Sequence, residues 1–158
     1  MAVEIERKFL VHQERLPTLP EGTRLCQGYI PTLNRTTVRV RLSGTRAYLT
    51  LKGPSNGLSR TEFEYEIPAL DAQQMIDQLC AGGTVDKMRY EIEHEGMLWE
   101  LDIFSGENSG LVVAEIELLH EDQPFIRPDW IGEEVSTDPR YSNLALLQNP
   151  YLRWAAQP

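Results

Sequence analysis

Charged and apolar side chains alternate along most of this chain, and the charged ones come in doublets of one sign: Glu4/Glu6, Arg39/Arg41, Glu62/Glu64, Lys87/Arg89, Glu100/Asp102 and Glu115/Glu117. A period of two is the pattern of a β-strand whose two faces differ. Antiparallel sheets with one wet face also alternate, but an ordinary wet face mixes in Ser, Thr and Gln. Here the polar positions are mostly fully charged. Like charges two residues apart on one strand face sit ~7 Å apart and repel, so opposite charges on neighbouring strands must offset them. A surface lattice of ion pairs contributes little, up to ~1 kcal/mol per pair. A sheet of about eight antiparallel strands that closes on itself would instead gather the charges in a lumen and turn the apolar faces outward.

The strands can be traced from the pattern. Residues 4–11, 25–30, 37–44, 47–53, 60–68, 84–96, 97–106 and 110–120 read as strands, and Gly44 marks a hairpin between the third and fourth. Gln27 and Tyr29 share a face, as do Tyr48, Thr50 and Lys52. After the fifth strand the period changes. Leu70, Met75, Ile76 and Leu79 recur at helical spacing, which predicts a helix over 71–80 with Asp71 at its N-cap and Gly82-Gly83 past its end. That helix and a tail bearing Trp130 and Trp154 are available to cover the barrel exterior. The tail reads as short helices around 123–131 and 142–148. No repeat or linker divides the chain, so residues 1–158 read as a single α+β domain, mainly antiparallel β.

A formal net charge of −9 argues against nucleic acid and membrane surfaces as partners, since both are polyanions. No apolar run approaches the ~18 residues of a membrane span. Acidic residues stand where a signal peptide would be basic, and no apolar h-region follows. Cys26 and Cys80 are too few for a disulfide framework or a zinc site and read as reduced thiols. These features together predict a soluble cytoplasmic protein. His12, His94 and His120 fall near loops and strand ends and read as surface residues. Apolar outer strand faces leave room for a homodimer.

A lumen holding many carboxylates and many cations has a defined chemistry. Carboxylate clusters suit hard divalent ions such as Mg²⁺ or Mn²⁺. Clustered Arg and Lys suit phosphate. A polyphosphate with a divalent metal satisfies both sets.

At this point the chain resembles a known family. "EIERKFLV" is similar to the ExExK signature that opens the CYTH domain, also called the triphosphate tunnel metalloenzymes. The likeness continues through "RVRL", "LTLKG", "EFEYEI", "DKMRYE", "WELDIF" and "AEIEL" in the family's order, and the tail "GEEVSTDPRYSNLAL" resembles small bacterial members. The resemblance implies a closed eight-stranded β-barrel tunnel with a charged lumen, flanked by a few helices, which binds a triphosphate with Mg²⁺ or Mn²⁺. It implies metal ligands among Glu4, Glu6, Glu115, Glu117 and Asp102. It implies substrate-binding roles for Lys8, Arg39, Arg41, Lys52, Lys87 and Arg89, with Arg140 and Tyr141 covering one mouth. Glu64 and Glu100 match further lumen acids. Lys8, Tyr29, Glu62 and Lys87 form the candidate catalytic set.

The activity so implied is metal-dependent hydrolysis of a short linear polyphosphate, with inorganic triphosphate the first choice of substrate. The same tunnel also serves class IV adenylate cyclases and thiamine or nucleoside triphosphatases. The chain is short and carries no insertion with a clear base-recognition set, which leans away from a nucleotide reader. A binding module without turnover, and a barrel with a charged exterior, are the two non-enzymatic alternatives.

Overall fold

Nine strands and three short α-helices occur among residues 3–155, the part of the chain that this computed structural model describes. Eight strands form the barrel: β1 (Val3–Val11), β2 (Thr23–Ile30), β3 (Thr37–Ser43), β4 (Arg46–Lys52), β5 (Ser59–Ile67), β6 (Val85–His94), β7 (Met97–Phe104) and β8 (Val112–Glu117). They pair in the order β5-β4-β3-β2-β6-β7-β8-β1, every pair is antiparallel, and a β1–β5 pairing closes the ring. The closed eight-stranded barrel that the alternation predicts is therefore present.

Two hairpins follow from local turn chemistry. Gly44 has φ 59° at the first position of a two-residue turn, with Ser43 opposite Arg46, the II′ arrangement that needs glycine there. Between β6 and β7 both Glu95 (φ 49°) and Gly96 (φ 77°) are left-handed, as a I′ turn requires.

Closure is narrower than the other pairings. Only Val3–Ile5 pair with Ser59–Thr61. Farther along the same edge of β1 the chain's own tail takes over: the Lys8 N–H donates to Ser136 Oγ, the Val135 N–H donates to the Lys8 carbonyl, and β9 (Ile131–Glu134) pairs with Phe9 and Val11.

The apolar cores lie outside the barrel wall, in three separate clusters. α1 (Ala69–Gln78) sets Ala72, Met75 and Ile76 against Val40, Ala47 and Leu49. Phe125 and Trp130 cover Phe9, Trp99, Leu101 and Ile116, with Trp99 edge-on to both. The tail helices α2 (Asn143–Gln148) and α3 (Tyr151–Trp154) bring Leu146, Tyr151 and Trp154 onto Val85, Phe104, Leu111 and Val113. Phe63 (45 % exposed) and Tyr65 (56 %) on the outer face of β5 stay uncovered in the single chain. No helix among the described residues is long and apolar enough to cross a membrane.

Two local expectations are corrected. α1 begins earlier than 71, with Pro68 at the N-cap and Asp71 inside the first turn, because proline fixes the φ that a helix entrance needs. The stretch 123–131 is not helical: Pro124 and Pro128 interrupt the backbone ladder, and the segment instead runs extended so that Phe125 and Trp130 reach the barrel wall. The helix expected at 142–148 does form, with Ser142 Oγ capping it by accepting from the Ala145 N–H.

Candidate active site

Antiparallel register brings the charged doublets face to face. Glu6 lies opposite Glu117 and Lys8 opposite Glu115 across β1 and β8. Glu115 is in turn opposite Glu100, and Arg89 is opposite Asp102. On the other side Lys52 faces Glu62, Thr50 faces Glu64, and Arg39 faces Thr50. The outcome is a cavity of about 190 Å³ at the centre of the barrel, bordered by Glu4, Glu6, Glu115 and Glu117 among its acids and by Arg39, Arg41, Lys52, Lys87 and Arg89 among its cations. Glu62, Glu64 and Glu100 complete its acidic lining.

Most of the cations are already paired. Lys52 Nζ donates to both Glu4 oxygens, at 3.1 and 3.0 Å, and lies 3.3 Å from Glu62. Arg39 meets Glu64 at 3.3 Å and donates to Thr50 Oγ1. Arg89 grips Asp102 through two parallel bonds of 2.8 and 2.9 Å and reaches Glu100 at 3.1 Å. Asp102 also takes Lys87 Nζ at 2.7 Å. Both Asp102 oxygens are thus engaged by cations beneath the cavity surface. Arg41 has no carboxylate partner among the described residues, and its Nε–H donates to Gln27 Oε1 at 2.9 Å.

This crowding sets the protonation states. Burial, then the neighbouring Glu115 and Glu4, push the Glu6 carboxyl well above its ordinary range. Burial alone would raise Glu115 too, but Lys8, Arg89 and Lys87 outweigh it and hold Glu115 well below that range. Burial lowers Lys87 to about 7; Asp102 opposes this, but Arg89 shares the same carboxylate and repels the ammonium. Burial, with Arg39 and Arg89 nearby, lowers Arg41 to about 10.

Beyond the central cavity lies a vestibule of about 140 Å³, which holds Lys8 and Tyr29. Lys8 Nζ donates to the Tyr141 carbonyl at 3.0 Å and stands 3.7 Å from Glu115, while the Tyr29 hydroxyl accepts from Gln27 Nε2 at 2.8 Å. The tail closes this side through Ser142, Asn143 and Leu144, and Asn143 Oδ1 accepts from Lys87 Nζ at 3.0 Å. Outside the vestibule an apolar cleft of about 450 Å³ runs between residues 30–38 and α2, sharing Tyr29, Thr37 and Leu144 with it. At the opposite end the lumen opens into a mouth of about 610 Å³ lined by Glu21, Glu91, Tyr48 and the outer faces of Arg41 and Arg89.

The expected lumen set therefore converges, with one exception. Arg140 does not reach the tunnel. It is exposed, held by Asp138 at 2.8 Å, with its guanidinium 4.5 Å from the Trp154 ring centroid. A backbone turn at Pro139–Tyr141 puts the Tyr141 carbonyl, rather than Arg140, toward Lys8. Two inward residues escaped the sequence reading. Arg60 shares the parity of Glu62 and lies opposite Glu4, a signal available in the pattern of the strand read at 60–68. Asn143 has no such signal, because it arrives on a tail that folds back over the barrel.

Comparison with known proteins agrees with this architecture. A family model described as CYTH domain matches residues 2–148. An inorganic triphosphatase of Acetivibrio thermocellus is 48% identical over 151 residues, covering 96% of this chain and 97% of that protein. An inorganic triphosphatase of Nitrosomonas europaea is 43% identical over 151 residues, covering 90% of this chain and 95% of its own length. The crystal structure of the inorganic triphosphatase NE1496 superposes with a TM-score of 0.67 at 39% identity, over 93% of this chain and 95% of that one.

Proposed function

This chain belongs to the CYTH domain family, and from that premise we propose that it is a metal-dependent hydrolase that cleaves inorganic triphosphate to pyrophosphate and orthophosphate. We read residues 1–158 as one tunnel domain. The observation that carries the proposal is the barrel cavity in which acids and cations converge, together with two relatives above 40% identity that bear the name inorganic triphosphatase.

The residues fit a divalent cation. Glu4, Glu6, Glu115 and Glu117 are hard oxygen donors on two neighbouring strands, and Glu6 faces Glu117 with no cation paired to it among the described residues. Among the described residues no three of these acids form a ready-made cage, and Lys52 occupies Glu4. When bound, Mg²⁺ or Mn²⁺ would polarise the phosphoryl oxygens and lower the pKa of a coordinated water.

The chain's own residues supply the remainder. Arg39, Arg41, Lys87 and Arg89 neutralise phosphoryl oxygens and the charge that develops on the leaving pyrophosphate. Asp102 and Glu64 hold Arg89 and Arg39 in place. Asp102 is assigned this positioning role rather than a metal. Water attacks the terminal phosphorus as its bond to the pyrophosphate oxygen breaks, and one proton is released to solvent at neutral pH.

A second reading has its own support. The apolar cleft beside the vestibule, lined by Ile30, Pro31, Val38 and Leu147, has room for an organic group carried on a triphosphate. A phosphate-release screen over inorganic triphosphate, ATP and thiamine triphosphate with Mg²⁺ or Mn²⁺, checked for cyclic AMP, separates the two. Release from inorganic triphosphate alone fits the first reading. Cyclic AMP, or preference for an organic triphosphate, overturns it.

A further inference from the structure

The two ends of the tunnel differ in charge. The open mouth carries Glu21, Glu64, Glu91 and Glu100 against two guanidiniums, Arg41 and Arg89. Glu21 and Glu91 pair with no cation among the described residues. The vestibule under α2 is bordered by Lys8, Arg39, Lys52 and Arg60 with one carboxylate, Glu6. Lys8, Arg39 and Lys52 have Glu115, Glu64 and Glu4 beside them, so Arg60 is the cation left over at this end, whereas the mouth keeps Glu21 and Glu91 against Arg41; an anion is favoured on the Arg60 side.

Arg60 is the cation in this vestibule that its neighbours leave uncompensated. Its Nε–H donates to the Gly53 carbonyl at 3.0 Å and Nη2 donates to Thr37 Oγ1 at 3.3 Å, both neutral acceptors. Of five guanidinium N–H donors, three have no protein partner among the described residues. A second donor nearby is also vacant. Arg39, only 7 % exposed, has a buried Nε–H with no acceptor, although its Nη2 is bonded to Thr50 and Glu64. A buried donor without an acceptor is costly unless a ligand meets it. Both arginines border the same 140 Å³ space.

We propose that Arg60 heads an anion subsite in the vestibule, with Arg39, Lys8 and Asn143, that takes one phosphoryl group of the substrate, and that anions enter and leave the tunnel on this side. The subsite's ligand class is a tetrahedral phosphoryl oxyanion. This rests on the triphosphate reading above, but its geometry applies equally to free phosphate.

The test compares wild type with Arg60→Gln, Arg60→Lys and Arg60→Ala in triphosphate hydrolysis, and titrates the metal-free proteins with inorganic phosphate by phosphorus NMR. Removing one charge-assisted contact should raise KM roughly ten- to a hundredfold. The rise should come with a much smaller change in kcat and weaker phosphate binding. Arg60→Lys, which keeps the charge without the planar fork, should fall between. Added guanidinium should restore affinity to Arg60→Ala. Arg60→Gln with unchanged KM and unchanged phosphate binding overturns the proposal. So do a loss of melting temperature and kcat with KM unmoved, and equal impairment of Gln and Lys variants without guanidinium rescue, because Arg60 would then only staple β5 to β3. If wild type releases no phosphate from triphosphate, the hydrolase reading falls, and the phosphate titration alone decides for or against Arg60.

Discussion

Burial, then the nearby Glu115 and Glu4, push the Glu6 carboxyl well above the usual range, and Glu6 also faces Glu117 across the strand pair. Neutralising it should therefore cost the metal-free fold nothing. Glu6→Gln should melt no lower than wild type by calorimetry, yet lose metal-dependent turnover by at least about a hundredfold, the scale expected when a transition-state charge loses its main support. Lys87 makes the opposite statement. With its ammonium lowered to about 7, it is mostly neutral at pH 8 in the free protein. A bound polyanion favours the charged form, so wild type should take up as much as about one proton more per triphosphate than Lys87→Met. Calorimetry in buffers of differing ionisation enthalpy reads this difference, and equal uptake refutes it. The same lowered value means that the unfolded chain holds the extra proton between about pH 7 and about 10.4, so this group's contribution to stability grows as pH rises through that window. That Arg39, Arg41 and Lys87 face the lumen was legible because strand parity alone decides which way a side chain points. Arg140 was not, since in an irregular turn adjacent residues have no fixed facing.

At the scale of elements, the strands and their hairpins could be read directly, because charge alternation and turn glycines specify them locally. The barrel exterior was legible only as a need for cover. Which segments meet it depended on long-range fit: residues 123–131 look helical by composition, but two prolines and the demand of Trp99 for aromatic neighbours make them an extended strap. α2 joins cover to chemistry. Leu146 is fully buried on its outer side while Asn143 holds Lys87 on its inner side. Leu146→Ala should cost about 2–4 kcal/mol of stability, as a buried Leu truncation does. It should also lower the affinity for triphosphate well below the unfolding midpoint, because Asn143 shifts with the helix. Denaturant melts and steady-state kinetics on the same samples check both parts; a stability loss with unaltered KM would separate α2 from the site.

For the whole molecule, a closed ring makes neighbours of its first and last strands, and β1 and β8 do pair. The other neighbour of β1 was not predicted: it is β5, over three residue pairs, with the tail extending the seam. Sequence periodicity carries no information on which strands meet at a seam. A lumen this charged should be most stable with its ligands in place. Mn²⁺ at about a hundred times its dissociation constant should add about 2.7 kcal/mol by mass action, seen as a higher melting temperature that EDTA reverses. The absence of any shift would speak against the acid cluster as a cation site.

The alternation along each barrel strand has one more consequence. Side chains that hold the molecule together and side chains that face the tunnel occupy alternate places on the same strands and scarcely mix. Point replacements on the inner rows can retune what the tunnel accepts while the outer clusters keep their grip. A one-residue insertion inside any barrel strand is a different matter: it would exchange the two rows beyond that point and turn that part of the wall inside out. Descendants of such a chain can drift freely in spelling, but not in strand length.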